Sequence, residues 1–218
     1  MNDNRRAFLQ GAASAALLAQ LAATARAAEP VRTGGDLTSR MSWLNDPASV
    51  SYPEGGVVAR PKPKTDFWRK TYYGYITDNG HFFHLPVSGE FTFTARIGGK
   101  YSQLYDQAGL MIRLDEKQWM KCGSEFFDNR RWASVVFTHE FSDWSTIDDL
   151  SQTSPVWWRV ARKKDSIEAA CSTDGKSFLT VRQGYFPPAV EVQVGVMCAA
   201  PEGAGFDASF DQLRLEKA

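Results

Sequence analysis

The stretch YDQAGLMIRLDEKQWMKCGSEF, Tyr105–Phe126, decides how the chain folds. Successive side chains of a β-strand point to opposite faces, so residues two apart share a face. Ala108, Leu110, Ile112 and Leu114 form one unbroken apolar set, and Met120, Cys122 and Phe126 form a second. Between them Asp115-Glu116-Lys117 is a turn-forming run that would join two antiparallel strands. The other face carries Gln107, Gly109, Met111 and Arg113, then Trp119, Lys121, Gly123 and Glu125. Strands with one apolar face and one mixed face belong to a sheet that covers a core on one side only.

The same alternation recurs along the chain. Strand-like runs are expected at Met41–Trp43, His81–Leu85, Glu90–Ile97, Gln107–Leu114, Gln118–Phe126, Trp132–Phe141, Val156–Arg162, Ile167–Cys171, Phe178–Arg182, Glu191–Cys198 and Phe206–Leu215. Asp128-Asn129-Arg130, Lys164-Asp165 and Asp174-Gly175 carry hairpin chemistry. The Pro-interrupted run Ala59–Trp68 reads as a loop. No segment beyond the N-terminus has helical periodicity. Many short antiparallel strands in one chain of 218 residues predict an all-β sandwich. In Glu191–Cys198 the valines and Cys198 share the core face, leaving Gln193, Gly195 and Met197 on the other. If this strand neighbours the pair in Tyr105–Phe126, then Gly109, Gly123 and Gly195 floor a shallow trough. Met111 and Met197 would wall it, and Trp119 would close one end.

The first residues read MNDNRRAFLQGAASAALLAQLAATARAAEP. Arg5-Arg6 followed by Phe8-Leu9, an Ala-rich run, and Ala25-Arg26-Ala27 match a twin-arginine export signal with its cleavage site. The expected organisation is therefore a signal peptide over 1–27, a polar leader over 28–40, and one domain over 41–218. The expected location is periplasmic or secreted, with no membrane insertion of the mature form. Net charge is zero and the basic residues are scattered, so nucleic acid is not an expected partner. Cys122, Cys171 and Cys198 each fall in phase with apolar neighbours and read as small core residues. No spacing for a metal site occurs, and no cofactor is expected. Structural calcium could be held only at Asp78-Asn79-Gly80 or Ser142-Asp143, where the first is also a turn signature.

The series TDFWRKTYYGYITDNGHFF (65–83), YDQAGLMIRLDEKQWMKCGSEF, FSDWS (141–145), WWRVARKKDSIEAACSTDGKSF (157–178) and VGVMCAAPEGAGFDASF (194–210) resembles a known family. It is the domain of unknown function 1349 family, related to a yeast protein of enolase regulation. The resemblance runs from about Trp43 to the C-terminus. It implies a concanavalin A-like jelly-roll sandwich of two antiparallel sheets, in which the concave sheet commonly binds glycans and in some members cleaves them. The family has no established reaction, so it implies no catalytic residue.

Carbohydrate binding needs aromatic platforms for the C–H faces of sugars and planar groups that hydrogen-bond hydroxyls in fixed directions. The expected ligand-binding residues are Asp106, Gln107, Met111, Trp119, Lys121, Glu125, Trp144 and Gln193, for a carbohydrate or another polyhydroxylated ligand. Trp68, Tyr72 and Tyr73 are further aromatic candidates, and Asp78, Asn79 and His81 further polar ones. Binding without catalysis is the leading reading. The alternative is a glycan-cleaving enzyme in which Glu125 acts with Lys121, whose charge would hold Glu125 ionised. A second carboxyl would come from Asp106 or Glu140. The E-x-D-x-x-E arrangement of glucanases with this fold is missing at Glu125-Phe126-Phe127-Asp128. A lyase would draft Arg113, Lys121, Tyr105 and His139, although His139 shares a face with Val135 and Phe137 and should be half-buried. A protein–protein module is the third reading.

Overall fold

The computed structural model describes residues 37–217 except 150, 153, 154 and 189. The expected signal peptide, and the leader up to residue 36, lie outside the described residues. The end of the leader, Leu37–Arg40, is a 3-10 turn whose Thr38 is buried.

Strands then follow as β1 (Ser42–Leu44), β2 (Ser49–Ser51), β3 (Gly56–Arg60), β4 (Phe67–Arg69), β5 (Ile76–Asp78), β6 (His81–Val87), β7 (Phe91–Gly99) and β8 (Gln107–Arg113). The rest are β9 (Gln118–Phe127), β10 (Arg130–His139), β11 (Phe141–Asp148), β12 (Val156–Lys163), β13 (Ser166–Ser172), β14 (Leu179–Tyr185), β15 (Val192–Ala199) and β16 (Ala208–Lys217). One seven-stranded sheet has the order β1-β6-β15-β8-β9-β10-β11, and the other runs β14-β13-β12-β7-β16-β3-β2. Strands β4 and β5 pair separately as a small hairpin. The non-consecutive order, with β15 between β6 and β8 and β16 between β7 and β3, is the crossing pattern of a jelly-roll sandwich. No helix among the described residues is long and apolar enough to cross a membrane.

The core lies between the two large sheets and is built from the apolar alternation. Ala108, Leu110 and Ile112 of β8, Met120 and Cys122 of β9, and Val192, Val194, Val196 and Cys198 of β15 all point into it. Opposite them stand Phe93, Ala95 and Ile97 of β7, Trp158 and Val160 of β12, and Phe210 of β16. Leu114 packs at its margin, and Phe126 is half-buried rather than enclosed. All three cysteines are buried free thiols, and burial raises the pKa of each. The turns form where their chemistry placed them. Asp128 and Asn129 both take the left-handed backbone (φ 51° and 59°) that a tight two-residue connection between twisted strands requires.

Five strands were not foreseen: β2, β3, β4, β5 and β11. The first four are short pieces around prolines and aromatics, where period two has no room to show. Strand β11 lies at a sheet edge, and its exposed residues carry no apolar alternation.

Candidate functional site

Strands β15, β8 and β9 are neighbours, as the trough required, and β10 and β11 extend the same face. Pairing sets its side chains in rows across the sheet. One row is Gln107–Glu125–Trp132, and the next is Gly109–Gly123–Ser134. Then come Met111–Lys121–Val136–Trp144 and Arg113–Trp119–Thr138–Ser142. Met197 lies opposite Gly109, and Gly195 opposite Met111.

The glycines are there because of the backbone. A Cβ on Gly109 would lie 1.9 Å from the Cys122 carbonyl oxygen, and one on Gly123 would lie 2.2 Å from that of Ala108. A Cβ on Gly195 would lie 1.9 Å from the Phe83 carbonyl oxygen. The adjacent strand bends over each position, so these residues permit tight coiling of the sheet.

The trough is not open along its length, because residues 65–80 fold back across it. Phe67 of β4 drops onto the sheet and joins Trp68, Phe82, Met111, Trp119, Val136 and Met197 in a second apolar cluster, separate from the core. Trp119 and Met111 are fully buried there, so neither is the ligand platform or wall expected of it. Apolar side chains on the outer face are better covered by other apolar groups than left to water. Arg113 closes this end by pairing with both oxygens of Asp78, each at 2.7 Å. Asn79 accepts a hydrogen bond from the Asp66 N–H and donates to the Lys64 carbonyl oxygen. Buried His81 bridges the Lys62 N–H and the Asn45 carbonyl oxygen. These groups are spent on holding the fold-back loop rather than on a ligand.

Beyond Phe67 the face stays open as a shallow cleft. Its floor is polar, with Lys121, Glu125 and Asp66; its walls are Trp68, Tyr73, Tyr75, Tyr105 and Trp144. Gln107, Gly123 and Ser134 line the inner end. Between Trp68, Tyr72, Tyr73 and Trp144 the cleft continues outward as a shallower groove past Ser142 and Asp143.

Lys121 does not pair with Glu125. Its ammonium donates to Asp66 Oδ1 at 3.0 Å, the Phe67 carbonyl oxygen at 2.8 Å and Gln107 Oε1 at 2.7 Å. An ammonium has three protons, so all are used. Glu125 Oε2 instead accepts the Trp144 indole N–H at 3.1 Å. Burial pushes the Glu125 carboxyl above its ordinary range; Lys121, the Ser134 hydroxyl and Trp144 pull it down, and Asp66 adds to the rise. Glu125 thus keeps its proton to higher pH than an exposed glutamate, because the pull of Lys121, on which the expectation of an ionised carboxyl rested, is outweighed by burial.

The walls are fixed by contacts among themselves. Tyr73 stacks on Tyr75 at 5.5 Å between centroids and meets Trp68 edge-on at 5.7 Å. Its hydroxyl lies 3.1 Å from that of Tyr105, and this hydrogen bond raises the Tyr105 pKa. The β4–β5 tip needs left-handed backbone at Lys70, Tyr72 and Gly74 (φ 59°, 62° and 77°), which is rare for a side chain as large as tyrosine. Tyr72 projects from that tip almost fully exposed, at 93%. The turn end of the hairpin is anchored by Glu140, which pairs with Arg69, Lys70 and Lys117.

Of the expected ligand-binding residues, Gln107, Lys121, Glu125 and Trp144 meet in this cleft. Gln193 sits elsewhere on the face, beside Arg113. Asp106 lies off it, with Oδ2 accepting the N–H groups of Ser102 and Gln103 in a buried turn. The second carboxyl beside Glu125 is therefore Asp66 and not Asp106 or Glu140. Contrary to expectation, His139 is exposed at the strand end, contacting the Tyr185 carbonyl oxygen. Of the residues a lyase would draft, Lys121 and Tyr105 line the cleft, while Arg113 is paired with Asp78 and His139 lies outside it. Asp66, Tyr75 and Ser134 were missed. The dense aromatics of Trp68–Tyr75 were the available signal, but the link from Asp66 to Lys121 spans 55 positions.

Among curated proteins the chain is similar to Regulation of enolase protein 1 of Saccharomyces cerevisiae. The two are 38% identical over 177 residues, 81% of this chain and 89% of the yeast protein. A crystal structure of a functionally unknown protein from the same yeast superposes with a TM-score of 0.80 at 38% identity, covering 83% of this chain and 98% of that one. The carbohydrate binding module CBM66 from Bacillus subtilis shares the fold at a TM-score of 0.57 and 12% identity, over 84% of this chain and 99% of the module. Residues 43–218 match the family described as protein of unknown function (DUF1349), and with the yeast relative this shows that the chain belongs to that family.

Proposed function

We propose that the chain is an exported carbohydrate-binding protein whose ligand enters the cleft over Lys121 and Glu125. The observation that carries this reading is the cleft's composition: a buried polar floor enclosed by five aromatic rings. Rings of that kind supply flat apolar faces for sugar C–H groups, while the Glu125 carboxyl presents a directional polar group beneath them. The groove past Tyr72 and Ser142 leads outward from the cleft, where neighbouring sugar units would lie. The fold shared with a carbohydrate binding module is in keeping with the reading. The twin-arginine pattern at Arg5-Arg6 supports export.

A glycan-cleaving enzyme is the second reading, favoured by one observation. Glu125, with its raised pKa, and Asp66, ion-paired to Lys121, are two carboxyls in unlike environments around one cleft. Expression of the full-length chain, recovery from the periplasm and a glycan array beside a sugar-end release assay separate the readings. Binding without release is the expected outcome. Release that Glu125→Gln abolishes while binding persists would establish the enzyme, and an array with no bound glycan would sink both.

A further inference from the structure

We propose that the cleft selects a ligand bearing an organic ammonium group, and, resting on the carbohydrate reading, that this ligand is an amino sugar with a free amine. The charges carry the inference. Two carboxyls, Asp66 and Glu125, line the cleft with one ammonium, Lys121. That ammonium is fully committed to Asp66, Phe67 and Gln107. Glu125 is left as a buried carboxyl, 8% exposed, held by the neutral indole of Trp144 and the Ser134 hydroxyl rather than by a cation in contact with it. Burying a carboxylate without a cation is costly, and a cation entering the cleft would remove that cost.

The walls favour the same charge. Trp68, Tyr73, Tyr75, Tyr105 and Trp144 present π-systems around the space above Glu125. The negative face of an aromatic ring attracts ammonium groups, more strongly where water is excluded. An acidic sugar would meet the opposite situation. Besides Lys121, the cations described around the cleft and its groove are Arg113, held by both oxygens of Asp78, Arg69 and Lys70, paired with Glu140, and Arg182, paired with Asp143. None is free to receive a uronate.

Burial raises the Glu125 pKa by more than the charge of Lys121 and the hydrogen bonds of Ser134 and Trp144 offset. On binding, the incoming ammonium would lower that pKa, so binding at pH near the carboxyl's own value releases a proton. The groups that act on Glu125 from the packed elements are Lys121 on its own strand, Asp66 on the fold-back loop, Ser134 on β10 and Trp144 on β11.

The test is calorimetric titration of the full chain, at physiological ionic strength, with short glucosamine oligomers, the matching N-acetylglucosamine oligomers, galacturonate oligomers and tetramethylammonium. Glucosamine oligomers should bind at least about tenfold tighter than their acetylated counterparts. Tetramethylammonium should compete, and galacturonate should not bind. In Glu125→Gln, nearly isosteric and uncharged, the preference for the free amine should fall to within about twofold. Equal binding of neutral and amino oligomers would overturn the inference and leave the carbohydrate reading standing. Tetramethylammonium binding with no saccharide would do the reverse: the ammonium site would stand and the sugar would fall. Tightest binding of galacturonate, or no binding by any probe, would overturn the inference outright.

Discussion

Two parts of one sheet face meet opposite fates. At one end Met111, Trp119 and Met197 lie under Phe67 and are closed to solvent. At the other Lys121, Glu125 and Trp144 keep a cleft above them. Both ends show identical alternation, and both are curved by the same glycines. The difference comes from a segment remote in sequence: residues 65–80 place an apolar side chain on one end and a rim of tyrosines around the other. Outward-facing residues become a site or a second core according to what is folded over them.

The largest expected effect comes from breaking the closed end. Phe67 is completely buried against Trp119, with ring centroids 6.2 Å apart, and Arg113 lies over its face. Phe67→Ala should cost about 3–5 kcal/mol, as such truncations do where the surroundings cannot collapse. For a domain of this size that lowers the melting temperature by roughly 6–20 °C. A thermal melt within about 2 °C of wild type would mean that the fold-back loop does not depend on this anchor.

The open end should behave in the opposite way. Trp144 is 37% exposed at the cleft mouth, so Trp144→Ala should change stability by about 1 kcal/mol or less. Ligand affinity should fall about tenfold or more, because one wall of the cleft and the indole donor to Glu125 disappear together. Denaturant unfolding and titration with whichever oligomer binds would measure both. A large stability loss with affinity intact would make Trp144 a structural residue.

This contrast also explains what the sequence could and could not convey. Period two is a local property, so Ala108–Ile112 and Met120–Cys122 announced their core face, and the rows holding Gln107, Lys121 and Glu125 followed from it. Which strands adjoin was recoverable for β8 and β9, joined by a short turn. What covers the outer face was not, since Phe67 reaches Trp119, and Asp66 reaches Lys121, across half a hundred residues that no periodicity links. Trp119 and Trp144 illustrate the limit. Both are tryptophans on the same face, and only the position of the hairpin makes one core and the other wall. Charge pairing failed for the same reason: Lys121 and Glu125 share a face four residues apart, yet Lys121 is held by Asp66 and the Phe67 carbonyl from the segment above and by Gln107 on the neighbouring strand.

The smallest expected effect is a pH dependence that sets the cleft interior against the sandwich surface. Burial raises the Glu125 carboxyl above its ordinary 4.5. A carboxyl with a higher pKa folded than unfolded binds its proton more tightly in the folded state. Its contribution to stability is therefore complete below 4.5 and is lost as pH rises through the folded value. Asp174 in the β13–β14 turn has the opposite sign. The N–H groups of Lys176 and Ser177 and the Ser172 hydroxyl lower it from 3.8 to about 2. Its contribution is present above 3.8 and is lost as pH falls through about 2. Urea unfolding across this range should thus give difference curves of opposite slope. Glu125→Gln should gain on the wild type as pH rises above 4.5, once the buried carboxyl is forced to ionise. Asp174→Asn should lose on the wild type from 3.8 upward and converge with it near pH 2. A Glu125→Gln curve that runs parallel to wild type would mean that the cleft already neutralises this carboxyl without a ligand, and the case for an incoming cation would weaken with it.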